Sequence, residues 1–157
     1  MPNETTQNST ITTDSNNNLY KNITSIVKKS FIEIVQGSIN QTPKDSEHHI
    51  KRGYTTQIDI TFNNEKTIKF LFVFNKEFLK IMCVEFLFEN KPSLGSMIDM
   101  SKELANLTIG HAKVLAQEEN IHFKISTPYF SNLKKCKNYN LSFILSSSGY
   151  CNIAMFD

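Results

Sequence analysis

The sequence predicts an α+β fold of two layers, with long helices packed on a mainly antiparallel β-sheet, and three observations carry that prediction. Apolar residues recur at helical spacing in three stretches, 19–37, 75–89 and 96–118. Five shorter stretches alternate as half-buried strands do, at 54–62, 67–74, 121–127, 139–146 and 150–156. These strands do not alternate regularly with the helices, which points to helices layered against a sheet of hairpin-connected strands.

Composition narrows the class. A chain of 157 residues suits one domain, and a domain of that size buries roughly 70% of its unfolded surface. Twelve Phe within a 39% hydrophobic composition supply a core without disulfide or metal staples. Cys83, Cys136 and Cys151 are odd in number and lack C-x-x-C spacing, as expected in a reducing compartment. The net charge of +2 is too small to imply nucleic acid or an anionic membrane surface as partner. No basic-then-apolar leader opens the chain, and no apolar run approaches the ~20 residues of a membrane span. The expectation is a soluble cytoplasmic protein. Asn-x-Ser/Thr triplets at Asn3, Asn8, Asn22, Asn40, Asn106 and Asn140 are then what chance produces in an Asn-rich chain.

Taken in order, residues 1–18 are Asn, Thr and Ser with little to bury and read as a disordered polar tail, leaving 19–157 as the domain. A first helix carries Leu19, Ile23, Ile26, Val27, Ile34 and Val35 on one face, with Gly37 as its stop. A polar loop follows to Gly53 and holds His48–His49, a pair with no acid or cysteine cluster to complete a metal site. Strands 54–62 and 67–74 flank a short turn, Asn63-Asn64-Glu65-Lys66. The run 75–89 is dense enough for a strand, but Phe78, Leu79, Met82, Phe86 and Leu87 recur at helical spacing behind a capping Asn75. Ser96 is the expected cap of a third helix reaching Glu118. A strand closing at Pro128, a polar loop with Lys134, Lys135 and Lys137, and two last strands joined at Ser147-Ser148-Gly149 complete the chain.

The third helix carries the pattern that needs explaining. At 100° per residue Met100, Leu104, Leu107, Val114 and Leu115 form its apolar stripe, and His111 lies within that stripe. Asp99, Glu103, Asn106, Gly110, Lys113 and Gln117 fall in a line on the opposite face. Gly110 costs roughly 1 kcal/mol against Ala in mid-helix, and it leaves a bare patch one turn beyond Asn106. A solvated polar face is the plainer account by composition. The sharper account is a surface that receives something.

Most enzyme signatures are absent: no G-x-x-x-x-G-K-[ST], no G-x-G-x-x-G after a strand, no G-x-S-x-G and no H-E-x-x-H. The cysteines read as buried small hydrophobes and His111 as a core or interface histidine with one hydrogen bond. One carboxylate and one amide suffice for hydrolysis of a phosphoryl group already held by a metal, where the barrier is mostly positioning. The sequence has no acidic cluster of its own for Mg²⁺. The site would be completed by another protein.

The spacing of these residues resembles the CheX/CheC/FliY family of chemotaxis phosphatases, its CheX branch in particular. That family's motif is Asp or Ser, three residues, Glu, two residues, Asn, 21 residues and Pro, matched here by Asp99, Glu103, Asn106 and Pro128. Leu104, Gly110 and Lys113 extend the match. The resemblance implies a phosphatase acting on the phosphoaspartate of a CheY-type response regulator, with Asn106 orienting the attacking water and Glu103 pairing with the receiver's lysine. It implies partner contacts at Asp99, Gly110 and Lys113, Mg²⁺ on the receiver rather than on this chain, and a homodimer joined through continuous sheet. The first helix offers Glu33 and Gln36 where a second motif would need Asn, so one active site is expected. A non-catalytic receiver-binding or scaffolding module of the same fold is the competing expectation.

Overall fold

Among the described residues three helices and seven strands are joined in the order α1 (Pro2–Ile39), β1 (Lys44–Asp45), β2 (Gly53–Phe62), β3 (Thr67–Phe74), α2 (Lys76–Leu87), α3 (Leu94–Glu118), β4 (Phe123–Ile125), β5 (Tyr129–Lys134), β6 (Leu141–Leu145) and β7 (Gly149–Phe156). The structure is a computed structural model that describes residues 2–134 and 138–157, with side chains for 17–131 and 138–157. The strands form one antiparallel sheet in the order β1-β6-β7-β3-β2-β4, and β5 also pairs with β2. Helices on such a sheet are the α+β architecture expected from the sequence.

Register explains which face the helices cover. Ile58 lies opposite Phe70 and Ile60 opposite Ile68, while Phe72 lies opposite Ile153 and Phe74 opposite Cys151. All eight side chains are buried, because residues two apart share a face of the sheet. Phe31 of α1 reaches into this layer, 4.6 Å from Phe143 of β6 and 5.9 Å from Phe78 of α2 between ring centroids. One aromatic cluster thus ties two helices to the sheet.

Several boundaries differ from expectation, each for a local reason. The first helix passes through Gly37 and ends at Ile39, and the next residue, Asn40, takes the left-handed conformation (φ 56) and returns its N–H to the Gln36 carbonyl. Asn tolerates that conformation because its short polar side chain can bond locally. At its other end α1 begins at Pro2, and packing against the core begins with Leu19 and Tyr20. The turn 63–66 forms as expected, with Glu65 at φ 67 and the Phe62 N–H on the Lys66 carbonyl. Asn75 caps α2 by accepting from the Phe78 N–H at 3.0 Å, as predicted.

The strand expected at 121–127 is shorter, and part of the loop after it is strand β5. Both β4 and β5 lie along β2, the first against Ile60–Phe62 and the second against Gly53–Gln57. Pro128 stands in the break between them. Lys134 ends β5, while Lys135, Cys136 and Lys137 lie outside the described residues.

Candidate functional site

The site helix starts one turn earlier than the sequence suggests. Ser93, not Ser96, is the N-cap of α3, and its Oγ accepts the Ser96 N–H at 3.0 Å. Ser96 instead donates its hydroxyl to Glu89. The buried face comprises Met97, Met100, Ser101, Leu104, Ala105, Thr108, Ile109, Ala112 and Ala116. Met100 and Leu104 were expected there. Val114 is 54% exposed, however, and Leu107, His111 and Leu115 are half-buried. Alanines decide this face: they carry little hydropathy signal but let the helix lie close against its neighbours.

On the other side Asp99, Glu103, Asn106 and Gln117 are exposed, and Gly110 and Lys113 are half-buried. The line predicted from periodicity is therefore a real surface. Asp99 pairs loosely with Lys102 on its own helix, at 3.7 Å. Among the described residues no hydrogen bond or ion pair occupies the Glu103 carboxylate or the Asn106 amide. A Cβ placed on Gly110 would meet nothing within 4 Å, and its backbone is ordinary helix. Neither internal packing nor backbone conformation asks for glycine there.

A shallow groove of about 280 Å³ runs beside this line, lined by Asp99, Met100 and Glu103 from α3 and by Phe86 and Leu87 from α2. Sequence periodicity assigned Phe86 and Leu87 to the packed face of α2. They are 37% and 51% exposed instead, and the next residue, Phe88, is 84% exposed. These groove residues were not anticipated. The available signal was the run Phe86-Leu87-Phe88 itself, three apolar residues in a row where a packed helix needs only one or two.

The corresponding residues of α1 are engaged within the chain. Glu33 accepts from His111 Nε2 at 2.5 Å and lies 4.0 Å from Lys29. Gln36 donates to Asn40 Oδ1 at 3.2 Å and accepts the Thr42 hydroxyl. His111 has the single side-chain hydrogen bond expected of it, at the seam between α1 and α3. Ser30 Oγ donates to the Thr108 carbonyl in the same seam.

Other candidates carry no chemistry. Burial, with a contribution from the Glu89 charge, raises the Cys83 thiol above its ordinary value, and burial raises Cys151 well above it. Both stay protonated and unreactive near neutrality. His48 packs against Tyr150 with its ring tilted by 31°, and His49 packs edge-on to Tyr139. Among the described residues no group of three or more His, Cys, Asp or Glu is placed to hold a metal ion, and no described helix is long and apolar enough to cross a membrane.

No protein-family model and no curated protein matches the sequence. Solved structures do match, and the fold they define is that of the CheX/CheC-like chemotaxis proteins and FliY. Chemotaxis protein CheX from Vibrio vulnificus superposes with a TM-score of 0.67 at 17% identity, over 85% of this chain and 96% of that one. CheX from Borrelia burgdorferi, crystallised with CheY, BeF₃ and Mg²⁺, superposes with a TM-score of 0.63 at 12% identity, over 85% and 97%. A CheC-like superfamily protein from Shewanella sp. PV-4 gives 0.66 at 16%, over 87% and 98%.

Proposed function

We propose that this chain is a phosphatase that removes the phosphoryl group from the phosphoaspartate of a CheY-type response regulator in bacterial chemotaxis. The observation that carries this reading is the pairing of a carboxylate and an amide, Glu103 and Asn106, that are unengaged among the described residues, less than one turn apart and beside Gly110, where an added Cβ would meet nothing within 4 Å. The equivalent polar residues of α1 already have partners, which favours one active site.

In the proposed step the receiver docks with its phosphoaspartate over Asn106. The Asn106 carbonyl oxygen accepts a hydrogen bond from a water and aligns it opposite the aspartyl oxygen. The water oxygen bonds to phosphorus, the P–O bond to the aspartate breaks, and the carboxylate leaves with the bonding pair. Inorganic phosphate departs with the water's oxygen, and the surplus proton passes to solvent. Fixing that water lowers the barrier by orientation rather than by acid–base chemistry. Glu103 pairs with the receiver's lysine and holds the two proteins in register. Mg²⁺ comes with the receiver and neutralises phosphoryl charge there. Asp99, Gly110 and Lys113 contact the receiver, and Pro128 shapes the connection between β4 and β5.

A homodimer belongs to the same proposal. β1 and β4 end the strand order of the sheet, and an end strand presents backbone groups to which a second chain can pair. Sedimentation equilibrium tests it.

The deciding experiment mixes the protein with a Mg²⁺-loaded phosphorylated receiver and follows phosphate release. Asn106→Ala should lower the turnover rate by about 10²-fold or more while the receiver still binds. Glu103→Lys should weaken binding by setting like charges opposite each other. Binding without acceleration by the wild-type chain would favour the docking-module reading; full activity in Asn106→Ala would remove the proposed mechanism.

A further inference from the structure

An exposed ion pair such as Glu103 with a receiver lysine changes affinity by about fivefold at most. The polar line alone is therefore too weak to hold a protein partner, and apolar contact has to supply the rest. The apolar surface contiguous with the line is the C-terminal end of α2. Phe86 and Leu87 share their groove with Asp99 and Glu103, and Phe88 follows them, 84% exposed.

Phe88 combines two unfavourable features. Its ring lies in water, and its backbone is left-handed (φ 56, ψ 32), a conformation that favours Gly or Asn after a helix and is an outlier for a bulky residue. The isolated chain gains no packing from it. Strained backbone that the fold nonetheless maintains concentrates at binding sites. Val114, also exposed, stands one turn beyond Gly110 on the same side of α3, so apolar contact is available at both ends of the Glu103–Gly110 stretch.

We propose that Phe86, Leu87 and Phe88 form an apolar lip that docks against the surface of the phosphorylated receiver beside its phosphoaspartate, and that this lip sets affinity and receiver choice. The proposal rests on the phosphatase reading above. A receiver is the occupant because Phe86 and Leu87 of the lip line one groove with Glu103, and whatever covers them also covers Glu103. A second copy of this chain seated there would occlude the catalytic pair.

The test is steady-state dephosphorylation of the Mg²⁺-loaded receiver domains encoded in the same genome, each phosphorylated with acetyl phosphate. Phe86→Ala/Leu87→Ala should raise KM about tenfold or more and leave kcat within about twofold. Phe88→Gly separates docking from folding: relief of the left-handed strain should raise Tm by about 2–4 °C, while loss of the ring raises KM. Unchanged KM in both variants, with Asn106→Ala still inactive, would overturn the lip and leave the phosphatase reading intact. Binding without accelerated phosphate release by the wild-type chain, with every one of these receivers, would instead remove the phosphatase reading. Sedimentation velocity showing that wild type dimerises and Phe86→Ala/Leu87→Ala does not would assign the lip to a second copy and overturn the proposal.

Discussion

Gly110 shows how a single residue divides stability from function. Its Cβ would meet nothing within 4 Å, so Gly110→Ala should stabilise the folded chain by about 1 kcal/mol through helix propensity, measured as a higher urea midpoint. Gly110→Gln should keep the fold and block the receiver, seen as loss of phosphate release without loss of helical circular dichroism. Thr108 gives a second residue-scale test. Its hydroxyl is the buried side-chain polar atom left without a partner among the described residues, and an unmet buried hydroxyl costs about 1–3 kcal/mol. Thr108→Val should therefore raise stability by about 1 kcal/mol in the same titration, against the usual sign for a core substitution. Glu103, Asn106 and Gly110 were legible in the sequence because helical periodicity alone puts them on one line. The exposure of Val114 was not legible, since its hydropathy is that of a core residue and only the neighbouring alanines decide otherwise.

At the level of elements, caps and turns follow local chemistry and were mostly readable. Asn75 was found because an N-cap is a contact between residues three apart. The cap of α3 was misplaced by one turn because Ser93 and Ser96 are equally suitable by type. Ser93→Ala should lower stability by about 1 kcal/mol, visible as a drop in Tm. Strand β5 was missed for a different reason. Tyr129–Lys134 has weak alternation, and it is a strand because the edge of β2 beyond β4 offers it backbone partners, with a register shift between Thr55 and Thr56. The end of α1 was also missed: Gly37 has ordinary helical backbone, and the left-handed residue is Asn40.

Across the whole molecule, the core sets a pH dependence. The unfolded chain ionises its thiols near the ordinary value of 9.0, whereas the folded chain keeps Cys83 and Cys151 protonated to higher pH. Above that value the folded state therefore binds more protons than the unfolded one, so stability is fully present below about pH 9 and falls as pH rises beyond it. Tyr20, raised by burial and then by the Asp157 charge, adds to the fall above its ordinary 10.0. Urea titrations on either side of pH 9 should show the decline, and Cys151→Ala should make it shallower. The three helices, the hairpin β2–β3, the last two strands, the α+β class and the register of Glu103, Asn106 and Gly110 were determined by the sequence, because backbone periodicity, capping and turn chemistry act between residues a few positions apart. The tertiary structure alone decided that alanines line the buried face of α3, that Phe86–Phe88 are exposed, and that His111 engages Glu33 while Asn106 has no side-chain partner among the described residues. Those outcomes depend on contacts between residues far apart in the chain, which no local pattern records.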